Sequence, residues 1–134
     1  GYTLINLARS NGVSIFTIPG PSSVMAALSV SGLPTEQFFY TGFLPRKKGR
    51  KTRLEFLAEL PSSIVIFESP YRIIKTLTDI EKYMGNRVIS VCRELTKIYE
   101  EVRMGWLSDI KEYFTETKPK GEFVIIVAKK DYKI

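Results

Sequence analysis

S-I-V-I-F-E-S-P-Y-R-I-I-K-T-L-T-D-I-E-K-Y-M-G, residues 63 to 85, decides the fold. Ile64 to Phe67 is an apolar run of strand length. Ser69 has the chemistry of a helix cap, and Pro70 suits a first helical position because its missing N–H is not needed there. Ile73, Leu77, Ile80 and Met84 then recur at helical spacing until Gly85 stops the pattern. The stretch predicts one strand-turn-helix unit, the building block of layered α/β domains.

The same grammar extends both ways. Downstream, Arg87 to Arg93 predicts a strand, Ile98 to Met104 a strand paired with it, and Trp106, Ile110, Tyr113 and Phe114 a helix. A polar loop from Thr115 to Lys120 follows, and Phe123 to Val127 is apolar throughout, as a strand covered on both faces would be. Upstream, a helix is expected from about Lys51 to Leu60, with Leu54, Leu57 and Ala58 on one face, and a strand from Phe38 to Phe43. Before these, Val13 to Ile18 predicts a buried strand, Pro19-Gly20-Pro21 a sharp turn, and Ser22 or Ser23 the cap of a helix ending at Gly32. Leu4, Leu7 and Ala8 place the opening residues in a short helix stopped by Gly12. The sum is an α/β domain: a mixed, mostly buried sheet of five or six strands flanked by helices.

Bulk properties narrow the chemistry. The chain has 134 residues, 44% of them hydrophobic and 25% charged, which suits one ordinary domain with a real core. No apolar run reaches the ~18 to 20 residues of a membrane span, and the opening lacks the layout of a signal peptide, so a cytoplasmic protein is expected. The single cysteine, Cys92, cannot form an internal disulfide and is expected in the core. There is no histidine, which removes histidine-based triads and the commonest zinc ligand; no metal site is expected. The net charge of +6 has an address: Arg46, Lys47, Lys48, Arg50, Lys51 and Arg53 are six cations within one short segment, and the rest of the chain sums to zero. Such a patch suits a polyanion, since phosphate contacts gain from counterion release; a solvated loop without a partner is the plainer alternative.

No phosphate-cradling glycine motif of the Gly-x-x-x-x-Gly-Lys or Gly-x-Gly-x-x-Gly type occurs. What stands out are polar residues at three strand ends, where open α/β sheets hold their ligands. In the first, 19 to 22, Gly20 permits close backbone approach and Ser22 offers a hydroxyl or its helix amides; a plain turn is the alternative. In the second, 67 to 72, Glu68 leaves the sheet beside Ser69, which is either a ligand contact or only a cap. In the third, 93 to 97, Arg93, Glu94 and Lys97 are either site residues or a salt-bridged rim.

Six segments in this order, I-P-G-P-S-S (18 to 23), S-G-L-P (31 to 34), G-F-L-P-R-K-K-G-R (42 to 50), F-E-S-P-Y-R (67 to 72), C-R-E-L-T-K-I-Y-E (92 to 100) and G-E-F-V-I-I-V (121 to 127), resemble the tetrapyrrole methylase superfamily. Within it they are similar to the branch that methylates a cytidine 2'-hydroxyl of 16S ribosomal RNA. The resemblance implies a two-domain enzyme, usually a homodimer, holding S-adenosyl-L-methionine in the cleft between its domains. Residues 1–134 would then be the carboxy-terminal domain, inactive without the other wall. That expectation agrees with an opening helix that has little sequence before it to cap it. Carried onto these positions, cofactor contacts are expected at Glu68, Ser69, Leu95, Glu122 and Phe123, with Gly20 and Ser22 added from the first strand end. Glu68, Glu94 and Lys97 are the local options for deprotonating or polarising the acceptor hydroxyl. Arg46, Lys47, Lys48 and Arg50 are expected on phosphates of the 16S ribosomal RNA or of the small ribosomal subunit. A tetrapyrrole methyltransferase and a non-catalytic RNA-binding module are the rival readings.

Overall fold

A computed structural model describes residues 1–118 and 120–134. Five helices and five strands are present among the described residues: α1 (Tyr2–Ser10), α2 (Ser23–Val30), β1 (Phe38–Phe43), α3 (Arg50–Ala58), β2 (Ser63–Glu68), α4 (Ile73–Met84), β3 (Val88–Arg93), β4 (Glu101–Trp106), α5 (Leu107–Thr117) and β5 (Phe123–Val127). The strands form one mixed sheet in the order β1-β2-β5-β3-β4. β1 and β2 run parallel, and every other neighbouring pair is antiparallel.

Alternation along the strands divides the core between the two faces. Ile64, Ile66, Ile89, Val91, Ile125 and Val127 meet the apolar stripes of α3, α4 and α5, including Leu57, Leu77, Ile80 and Phe114. On the opposite face, Val65, Val88, Cys92, Val124 and Ile126 are covered mainly by Ala27 and Leu28 of α2 and by Leu33. β2 and β5 contribute to the core on both faces, which explains the unbroken apolar runs Ile64 to Phe67 and Phe123 to Val127. Cys92 is a buried core residue, and burial raises its thiol pKa to about 11.

Several expectations need correction. Val13 to Ile18 is not a strand: no strand of the sheet pairs with it, and Phe16 and Ile18 are 86% and 90% exposed. β-propensity cannot fix an extended segment whose N–H and C=O groups find no neighbouring ladder. The sheet accordingly has five strands, the lower of the two numbers expected. Ser69 does not cap α4. An Arg72 N–H to Ser69 carbonyl bond of 3.1 Å closes a turn first, leaving Pro70 in that turn and starting the helix at Ile73. The strand expected from Ile98 begins at Glu101, because Glu94 and Thr96 adopt φ of 50° and 66° and keep 94 to 100 in turns. Thr115 to Thr117 belongs to α5 rather than to a loop, and Pro119 of that expected loop lies outside the described residues. The cap of α2 is as expected: Ser22 Oγ accepts the Met25 N–H at 3.5 Å.

Candidate active site

Strand register builds the site. Glu68 lies opposite Phe123, Phe123 opposite Arg93, and Arg93 opposite Glu101, so the ends of β2 and β3 meet the starts of β5 and β4 in one row. Phe43 at the end of β1 pairs with Phe67 beside that row. At this edge Phe43, Phe67, Phe123 and Val124, with Ser23, Glu68, Ser69 and the backbone turn at Gly121–Glu122, line a cavity of about 390 Å³. Two more depressions, of about 580 and 370 Å³, also border Gly121 and carry Lys118 and Lys120 on their walls.

The ring of Phe43 reaches the cavity because β1 is irregular. Tyr40 pairs with Val65 and Gly42 with Ile66, leaving Thr41 as an extra, bulged residue. A bulge shifts the alternation by one position. Phe43 therefore shares a face with Tyr40, and both rings pack edge-on to Phe67, with centroids 5.8 and 5.2 Å away. Gly42 accommodates the bulge with a φ of 67°, in the left-handed region that costs glycine little. A glycine inside an otherwise aromatic strand is the sequence signal that would have found Phe43.

Glu68 is 2% exposed, and its carboxylate is fully engaged. Oε1 accepts the Ser69 amide at 2.7 Å and sits 2.9 Å from an Arg72 guanidinium nitrogen; Oε2 accepts the Thr76 hydroxyl at 2.6 Å. With its side chain buried and both oxygens bonded within the protein, Glu68 shapes the 69-to-72 turn. Glu94 Oε1 accepts the Glu122 amide at 2.8 Å and the Lys97 ammonium at 3.0 Å, and Lys97 also reaches Glu122 Oε2 at 3.1 Å. The Glu122 amide, then Lys97, hold the Glu94 carboxyl below the usual carboxylate range; bonds to Glu94 and then Glu122 hold Lys97 above the usual ammonium range. A lysine kept protonated is no base. Glu94 is ionised, but it is a weak one. This cluster clamps the 93-to-97 turn onto the start of β5. Gly121 is indispensable to the clamp: its φ is 105°, and a Cβ there would fall 2.4 Å from Glu94 Cγ. Its place immediately before an apolar strand was the available signal.

Other expected residues disperse. Gly20 is exposed, Ser22 is spent on capping while its neighbour Ser23 lines the cavity, and Leu95 packs into the core under α2. In the basic segment, Arg46, Lys47 and Lys48 are exposed. Arg50 is not available to RNA. It is 8% exposed, with Nε on Asp79 at 2.7 Å, one terminal nitrogen on the Pro45 carbonyl at 3.0 Å and the other on Thr76 Oγ1 at 2.8 Å. Taking one partner from such a buried charged set costs about 3 to 5 kcal/mol, so Arg50 is first a structural residue. Arg53 likewise turns inward, donating to Thr41 Oγ1 at 3.0 Å between the Phe39 and Phe56 rings. No cluster of three or more metal-ligating side chains occurs among the described residues.

Residues 1–111 match the family model of tetrapyrrole (corrin/porphyrin) methylases. The chain belongs to the tetrapyrrole methylase family. Among curated relatives, this methylase chain is 44% identical over 128 residues to a ribosomal RNA small subunit methyltransferase I of Halalkalibacterium halodurans, covering 95% of the chain and 44% of that protein. To the protein of the same name from Thermotoga maritima it is 37% identical over 131 residues, covering 98% of the chain and 59% of that protein. It thus spans about half the length of the curated relatives it matches. A solved diphthine synthase superposes with a TM-score of 0.71 at 17% identity, over 98% of the chain and 55% of its own. A uroporphyrin-III C-methyltransferase of Thermus thermophilus, complexed with S-adenosyl homocysteine, gives 0.55 at 18% identity over 94% of the methylase chain and 58% of its own. These two likenesses establish the fold.

Proposed function

We propose that this chain is the carboxy-terminal domain of an S-adenosyl-L-methionine-dependent methyltransferase acting on a ribose 2'-hydroxyl of a cytidine in 16S ribosomal RNA. The carrying observation is the join between cavity and cations: Phe43 lines the cavity, and the exposed Arg46, Lys47 and Lys48 begin three residues later. Three residues span at most about 11 Å of chain, so the basic segment begins beside the cavity, within reach of an RNA strand that enters it. Support for RNA over a tetrapyrrole comes from the relatives at 37% and 44% identity, both named for ribosomal RNA.

The cavity fits the adenosine part of the cofactor. The Phe43 and Phe67 rings supply an apolar slot, and the backbone at Gly121–Phe123 supplies polar groups at its rim. Phe43, Phe67, Phe123 and the Glu68–Ser69 turn would hold it from this side, with a preceding domain as the opposite wall. Bound there, the sulfonium supplies an electrophilic methyl group. The work of this chain is placement. Holding the hydroxyl about 3 to 3.5 Å from the methyl carbon, in line with the breaking bond, supplies much of the acceleration. Glu68 keeps the wall in shape, Glu94 and Lys97 clamp the neighbouring 93-to-97 turn, and the hydroxyl proton passes to solvent as the new bond forms. Assembly as a homodimer, in the cytoplasm, belongs to the same reading.

Neutralising Arg46, Lys47 and Lys48 together should weaken binding to single-stranded RNA and lower the slope of log affinity against log salt by about 2, at ~0.7 per phosphate. Isothermal titration with S-adenosyl-L-methionine should be unaffected by the same change. An unchanged salt slope would remove the basic loop from the reading.

A further inference from the structure

Arg50 sits at the end of the basic loop, yet all of its bonds point into the protein. Its bond to the Pro45 carbonyl ties the loop's last residue to its first, so residues 46 to 49 form a closed arch. The guanidinium anchors that arch to α4 through Asp79 and Thr76. Thr76 has one hydroxyl proton, and the bonding leaves no ambiguity about its use: its oxygen accepts from Arg50, so the proton is donated to Glu68 Oε2 at 2.6 Å. Glu68 in turn fixes the Ser69 amide and Arg72 of the cavity turn. Thr76 is fully buried, and Arg50 and Glu68 nearly so.

Resting on the RNA reading above, we propose that Arg50 and Thr76 are positioning residues that fasten the basic arch to the cavity wall, so that a phosphate gripped by the arch is registered against the cavity. An apolar trio of the same volume would pack at least as stably as this buried charged chain. What charge and hydrogen bonds add is direction. Each bond is short and has one permitted donor, so the arch cannot slide along α4 without breaking bonds on both sides of Thr76.

The test is amide hydrogen exchange on the chain with Thr76→Val, which removes the hydroxyl at nearly constant shape, and with Thr76→Ser, which keeps it. Thr76→Val should speed exchange about tenfold at the bonded amides of both segments, Arg50 in one and Ser69 and Arg72 in the other, while β5 and α5 keep their protection. Thr76→Ser should exchange like the wild type. A response in one segment alone, or an even rise over the whole chain, would overturn the proposal. Adding a single-stranded RNA oligonucleotide should slow exchange at both segments in the wild type but only at 46 to 50 in Thr76→Val; slowing confined to 46 to 50 in the wild type would also overturn it. If the wild type binds no RNA, the functional reading fails, whereas the paired response to Thr76→Val still decides whether the arch and wall are fastened together.

Discussion

Glu94 shows how one side chain can look catalytic and act mainly as a fastener. Its depressed pKa means that the clamp it forms is present above the usual carboxylate range and is lost as pH falls through the lowered value. Lys97, raised, loses its part only as pH climbs through a value above the usual ammonium range. The turn is therefore clamped throughout the neutral range. Carbon-detected NMR should show Glu94 titrating below the ordinary ~4.3 of a glutamate, and Lys97→Ala should move the midpoint upward without restoring it fully, since the Glu122 amide remains. A midpoint indifferent to Lys97→Ala would contradict the clamp. The charges of the 93-to-97 run were visible in the sequence, but their purpose was not. The deciding partner, Glu122, is 28 residues from Glu94 and reaches it only through the pairing of β3 with β5.

At the scale of elements, Arg87 joins two helices at the end of the sheet remote from the cavity. Its Nε donates to the Met84 carbonyl at 3.2 Å and a terminal nitrogen to the Ala58 carbonyl at 2.5 Å, satisfying the carboxyl ends of α4 and α3 together. The last carbonyls of a helix lack intrahelical donors and carry the negative end of its dipole, so a buried cation suits both. Arg87→Met should cost about 1 to 3 kcal/mol in urea unfolding, and Arg87→Lys should recover only part of it, because an ammonium lacks the fork needed to span two carbonyls. Full recovery by lysine would show that charge alone matters there. The helices themselves were legible: Ile73, Leu77, Ile80 and Met84 form the buried stripe of α4 at the spacing the sequence displays. The failures came where an element depends on something not local. Val13 to Ile18 has strand composition without a strand beside it, and Ser69 has cap chemistry, but its Oγ accepts from the Arg72 guanidinium at 3.4 Å and the helix starts only at Ile73.

Over the whole molecule, the helical layer and the sheet make one body to which residues 1 to 20 add almost nothing. α1 buries no residue, and Leu4, Leu7, Phe16 and Ile18 are exposed at 70%, 61%, 86% and 90%. Deleting residues 1 to 20 should leave the melting temperature of the chain within a few degrees while reducing its binding of an apolar dye; a collapse of the melting transition would show packing of this segment onto the sheet. The α/β class, the buried strands and the basic cluster were all readable from composition and period. The bulge that aims Phe43, the withdrawal of Arg50 from the surface and the arrangement of strands were not, since each is settled by contacts between segments far apart in the chain.

The strand order has a temporal consequence. β5, the last of the five strands to leave a ribosome, occupies the middle position, between β2 and β3. Until it emerges, β1 with β2 and β3 with β4 can form only two separate ribbons, each with an apolar edge open to wrong partners. Synthesis of residues 123 to 127 therefore closes the sheet and, in the same event, brings Glu122 to Glu94 and Phe123 to Glu68. A chain truncated just short of Phe123 should remain protease-sensitive in both ribbons, and extending it through Val127 should protect them together.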